Sequence, residues 1–331
     1  MLSYKKHFRE TFLLAYPVCL GQLGHVMVGV ADSLMVGNYG GENSEIGTLS
    51  LAAASLANAL IHIILVLGIG ISYGATPLIA AADSKNDKSE ITSLLKHSIL
   101  LCLITGIIIF ISLYFSSPLL HYFNQPEKVV ELAIPYFNIM VFSMLPLMFF
   151  LAFKQFAEGL SDTKTAMYIS IGANLLNVFL NYLFIYGNWG VKEMGLNGAG
   201  WASFIARVVM VLSMGLYVYK AAKFKDYKSG LSFNNYNWNK VGEIFKVGLP
   251  VGLQFTFEVS AFALAAVMIG WISAEDLAAH QIAISLASLT YMFASGISAA
   301  ASVRIGNYFG VKNFYDLRRA GNSARIMVLT F

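Results

Sequence analysis

Apolar runs of about 20 residues recur along this chain, near 12–36, 48–72, 93–115, 130–152, 167–187, 198–219, 244–270 and 277–302, with polar residues gathered between them. As a helix rising ~1.5 Å per residue, such a run crosses about 30 Å of hydrocarbon. Inside a bilayer a helix also satisfies its own backbone polar groups. The pattern predicts an all-α polytopic membrane protein. Composition agrees, with 57% hydrophobic and only 12% charged residues among 331, a balance that a soluble domain would need unusually large buried faces to hide. After a polar loop, a further apolar stretch over 325–331 stops before it could cross. The chain is therefore expected to be a piece of a longer protein.

Positive residues are retained on the cytoplasmic side of a membrane. Outer loops hold only Lys128 and Lys192 if the N-terminus is inside, and Arg207 falls within the sixth run; every other Lys and Arg then lies in an inner segment. The N-terminus is thus expected in the cytoplasm. Lys5, Lys6 and Arg9 could mimic a signal-peptide start, but no small-residue cleavage site follows and the apolar run exceeds secretory length, so this is span one. The basic linker over 221–243 is read as joining two bundles, 1–220 and 244–331. Its charge suits orientation and anionic lipid headgroups rather than nucleic acid.

Cys19 and Cys102 lie in apolar runs, where disulfide and metal-ligand spacings find no partner. No GxxxxGK[ST] or HExxH motif appears, so nucleotide hydrolysis and zinc proteolysis are not signalled. The expectation is a protein that is not an enzyme, has no cofactor, and draws on an ion gradient.

Two acids interrupt the runs. Asp32 and Glu258 lie well inside spans one and seven, where a carboxylate is costly unless neutralised or placed on a pathway. Pro17 and Pro250 each open a span, and Gly68-Ile69 recurs as Gly296-Ile297, so spans one and two resemble seven and eight. This repeat brings His25 to the level of Glu258. Gln22, His25 and Asp32 are spaced to share a face of span one, as Asn174, Asn177 and Asn181 are on span five. Counting from the helix ends places Asp32 and Asn181 within about one turn, near 5 Å, in depth. Together they predict an oxygen-rich pocket for a proton or a sodium ion; the competing reading is amide pairs that hold helices together. Gln254, a turn before Glu258, and Gln281, at the start of span eight, could add oxygen to a second site. Arg207 is read as a structural counter-charge, and His25, His62 and His280 as bonded packing residues before proton relays.

The strings Ala31-Asp32-Ser33-Leu34-Met35-Val36-Gly37, Gly159-Leu160-Ser161-Asp162-Thr163-Lys164, Asn177-x-x-x-Asn181, Phe257-Glu258-Val259-Ser260 and Ala278-Ala279-His280-Gln281-Ile282 resemble the multidrug and toxic compound extrusion (MATE) transporters, with Glu258 pointing to the NorM-type branch. The resemblance implies a V-shaped exporter of two six-span lobes. This chain would supply the N-lobe, the basic linker, spans 7 and 8 and the start of 9, a monomer in the inner or plasma membrane. It also implies small-molecule organic cations as substrates, Na+ or H+ as coupling ion, Asp32, Asn177, Asn181, Glu258 and Tyr291 as cation-site residues, and Pro17 as a hinge. A flippase for lipid-linked saccharides is the alternative, but it should present Arg or Lys to lipid phosphates, and only Arg207 lies clearly within a span. A membrane-embedded enzyme using paired carboxylates is a third class; the acids lie in different lobes, which argues against it.

Overall fold

The computed structural model describes residues 4–41, 44–123, 125–231, 235–270 and 274–330; the side chain of Gln281 lies outside that description. The helices are α1 (Tyr4–Gly37), α2 (Ser44–Tyr73), α3 (Ala75–Ser84), α4 (Lys88–Ser116), α5 (Glu127–Phe142), α6 (Met144–Gly159), α7 (Thr163–Phe184), α8 (Leu196–Lys220), α9 (Trp238–Gly270), α10 (Ala274–Gly310) and α11 (Phe314–Thr330). Among the described residues, seven helical segments are long and apolar enough to cross a membrane. The eighth run lies inside α10, a helix of 37 residues.

Two spans are broken by their own chemistry. At the α2–α3 junction a Cβ on Gly74 would sit 2.5 Å from the Ile244 carbonyl oxygen and 2.6 Å from the Gly248 nitrogen, so only glycine lets α9 pass this closely. Between α5 and α6 the Ser143 hydroxyl donates to the Met140 carbonyl at 2.6 Å, a side-chain bond that competes with the helix ladder.

The loops expected from polarity are largely helical. The polar loop expected before 325–331 is mostly helix, as α10 runs on to Gly310 and α11 begins at Phe314. Hydropathy misses α11 because only one face is apolar: Ala320, Ser323 and Ala324 are buried while Arg318 and Arg325 are exposed. Asn313 caps it, accepting from the Asp316 N–H at 3.2 Å. The linker expected over 221–243 contains a 3₁₀ helix, Ala222–Leu231, and α9 already begins at Trp238. Phe224 anchors this helix in an aromatic nest, 5.4 Å from Phe156 and 5.5 Å from Tyr217. Lys88 stands 2.5 Å from Asp226 and holds that carboxyl below its ordinary range; so exposed a pair adds little stability.

α1 packs on α7 and α10, α2 on α5 and α9, and α3 on α10. The main core draws on α2 to α8 and the start of α9, with Ile79, Leu94, Phe137, Met148 and Phe156 fully buried. A smaller cluster joins Ala15 of α1 to Ile297 and Ala300 of α10 and Ala324 of α11. The internal repeat is visible in these contacts. Gly70 of α2 meets Gly252 of α9 so closely that a Cβ on either would strike the other helix's backbone, and Gly296 of α10 lies against Cys19 of α1, where a Cβ would strike the Cys19 sulfur. Cys19 and Gly252 are separated by the interval that relates Pro17 to Pro250, so the α1–α10 and α2–α9 seams are repeat-related. The turn before α4 recurs before α11: Asn86 (φ 54°) precedes the Asp87 cap, and Lys312 (φ 57°) precedes Asn313.

Candidate functional site

Asp32 lies in the last third of α1, facing α7. Small residues bring the two helices together, since Gly21 lies against Met167 and Gly24 against Ile171 and Asn174. The contact places Asp32 beside two buried asparagines on successive turns of α7. Asn181 donates through Nδ2 to Asp32 Oδ1. With its nitrogen turned to the same acid, the Asn177 amide donates at 2.9 Å while its oxygen accepts from the Ser203 N–H and hydroxyl, each at 3.2 Å. The depth matching of Asp32 with Asn181 thus corresponds to a direct bond.

The pocket differs from one lined by oxygen alone. Two amide nitrogens face the carboxylate, so both can donate to it. Asn181 Oδ1 and Asn174 Nδ2 are buried with no bonding partner, so acceptor and donor capacity remain on the same helix face. A cation that drew Asn181 Oδ1 round to itself would find an amide oxygen and a carboxylate within reach of one another. Behind the pair, Arg207 donates to the Ser143 hydroxyl at 2.5 Å, near enough to Asp32 for the two charges to act on each other. It is held at the α5–α6 break rather than offered to a lipid phosphate.

The second acid is held differently. Glu258 on α9 is half-buried and accepts from the Tyr291 hydroxyl of α10 at 3.3 Å. The two residues, on consecutive helices, therefore meet. Gln254 is exposed, and Gln281 falls outside the described side chains.

The polar stripe expected on α1 divides. Gln22 donates to the Ser295 hydroxyl of α10 at 3.3 Å, whereas Asp32 faces α7, because ten residues at 100° each leave the two about 80° apart on the helix. His25 and His62 are exposed, not packed as their apolar neighbours suggest; His280 is partly buried, with Nε2 lacking a partner. Pro17 is buried inside a continuous α1, where its missing N–H leaves one carbonyl of the preceding turn unbonded. Ser203 is the site residue that the sequence did not single out. A lone serine in an apolar run carries no signal until α8 is laid against α7.

Replacing Asn181 with leucine should lower stability by about 1–3 kcal/mol, because it strips Asp32 of a donor and sets a carboxylate against hydrocarbon. Thermal unfolding in nanodiscs checks this, with the exposed Leu175→Ala as control. Equal melting of N181L and the parent would mean the bond carries nothing.

The MatE family model matches residues 17–183 and 250–331. The multidrug resistance protein NorM of Photobacterium profundum is 30% identical over 334 residues, covering 99% of this chain and 71% of that protein. A probable multidrug resistance protein NorM of Rhizobium meliloti is 29% identical, covering 99% of this chain and 68% of that one. Among solved structures, an outward-facing multidrug resistance MATE family transporter superposes with a TM-score of 0.83 at 24% identity, over 97% of this chain and 70% of that chain. At that identity the match speaks to the fold.

Proposed function

The chain belongs to the MatE family, and from that membership we propose that it is the larger part of a multidrug exporter that expels organic cations in exchange for a sodium ion or a proton. The observation that carries the reading is Asp32, an acid within a membrane span held by Asn177 and Asn181 beside an unbonded amide oxygen. The names of the NorM relatives, multidrug resistance proteins, support drug export as the activity.

The proposed cycle is linkage between two ligands of the same charge. A coupling ion that enters from outside neutralises Asp32 or Glu258, weakens their attraction for a lipophilic cation and favours its release. Tyr291, in contact with Glu258, presents a ring face worth about 0.5–2 kcal/mol to a desolvated cation. Pro17 serves as the hinge of α1, which carries Asp32. The bundle of α1 to α8 acts as the N-lobe and α9 to α11 as the beginning of a second lobe. The distribution of Lys and Arg supports a cytoplasmic N-terminus in the plasma membrane, and the exporter works as a monomer bathed in membrane lipid. A lipid-phosphate site would need several Arg or Lys side chains in the spans, and Arg207 is instead bonded to Ser143 at the α5–α6 break.

Efflux of a fluorescent lipophilic cation from vesicles carrying the complete transporter, with sodium and pH gradients imposed separately, tests this. One gradient should drive export and identify the coupling ion. Export indifferent to both would remove the proposed mechanism.

A further inference from the structure

Away from the acids, a charged network ties α1 to α10 and α11 at the end of the bundle that carries the N-terminus. Arg304 of α10, only 4% exposed, is its centre. One guanidinium nitrogen donates to the His7 carbonyl at 2.7 Å and the Thr11 hydroxyl at 2.8 Å. The other meets Glu10 Oε2 at 2.8 Å, His7 Nδ1 at 2.9 Å and the Tyr308 hydroxyl at 3.3 Å. His7 Nε2 stands 3.5 Å from Asp316 of α11, and Arg319 of α11 lies over the Tyr4 ring at 5.0 Å.

We propose that this Arg304 network is a reversible latch: it closes the two lobes at the N-terminal end and opens when the transporter turns to its other face. The inference rests on the alternating-access reading. It goes beyond that reading by assigning the closure to residues outside both acid sites.

Three features make the contact separable. A cavity of about 390 Å³ opens against it, walled by Leu13 and Leu14 and reached by Glu10, Arg304, Asn307 and Tyr308, so there is room for water beside the charges as they part. Glu10 is itself 36% exposed, which lowers the cost of rehydrating the pair. The neighbouring α10–α3 seam is built on Gly306 and Gly310, which lie against the backbone at Pro77 and Ala81. Glycines at this seam let α3 and α10 close to backbone contact without a large side chain between them.

Lys85, in the turn after α3, and Lys312, in the turn after α10, are exposed on opposite sides of this seam, and both native cysteines are buried. Spin labels placed at these two positions in nanodiscs should give one narrow distance in the parent chain. Arg304→Gln should raise the population at longer distance about tenfold, and Glu10→Gln should raise it less. Glu10→Gln keeps the buried arginine and its other bonds, so it serves if Arg304→Gln does not fold. Distance distributions that match the parent would overturn the latch. Efflux is read separately, so intact drug export with unmoved distances would reject the latch and leave the transport reading standing.

Discussion

Asp32→Asn is expected to lower cation-coupled drug export by roughly ten- to a hundredfold while leaving the helices assembled. The substitution is nearly isosteric and keeps a hydrogen-bonding group opposite Asn177 and Asn181, but it removes the charge that both ligands compete for. Packing should change little, because the losses are one carboxylate oxygen and one charge, not volume. Initial efflux rates in proteoliposomes of the complete transporter, at matched protein incorporation, check this. Glu258→Gln should act in the same direction through the Tyr291 side. Coupled efflux that survives in both variants would leave the acids as structural curiosities.

Gly252→Leu should produce the largest loss of stability. A Cβ at Gly252 would lie 2.6 Å from the Leu67 carbonyl oxygen and 3.1 Å from the Leu67 side chain, and the facing Gly70 leaves no room on its own helix. The α2–α9 seam must spread, at a cost of about 1–3 kcal/mol or more for overpacking, and most surviving protein should melt earlier in detergent. Gly29 and Gly172 have nothing within 4 Å of an added Cβ, so alanine there should be neutral or stabilising by about 0.5–1 kcal/mol. If Gly252→Leu melted with these controls, the glycine contact would be absent from the folded protein.

The spans were legible because hydrocarbon imposes one rule on every residue that faces it, and seven of the expected runs coincide with apolar helices among the described residues. The Asp32–Asn181 contact was legible for a related reason: two helices that cross in the same direction share a ruler. Hydropathy could not show α11 or the 3₁₀ helix over Ala222–Leu231, whose apolar faces are narrow and whose partners lie on distant helices. Nor could it show Arg304 reaching His7, 297 positions earlier in sequence. Arg304 read as one more basic residue of an inner loop, and only the seating of α10 on α1 reveals it as buried. The stripe of Gln22, His25 and Asp32 spans a sector of about 80°, and α7 and α10 divide it, so Gln22 bonds Ser295 while Asp32 bonds Asn181.

Competition between drug and coupling ion is the claim on which the rest depends. The direct test is equilibrium binding of a fluorescent lipophilic cation to the complete protein in nanodiscs, titrated with sodium at fixed pH and with protons at fixed sodium. One of these ions should weaken the apparent drug affinity about tenfold, and the effect should disappear when Asp32 and Glu258 are both neutralised. An affinity indifferent to both ions, or unchanged competition in the double variant, would contradict the account.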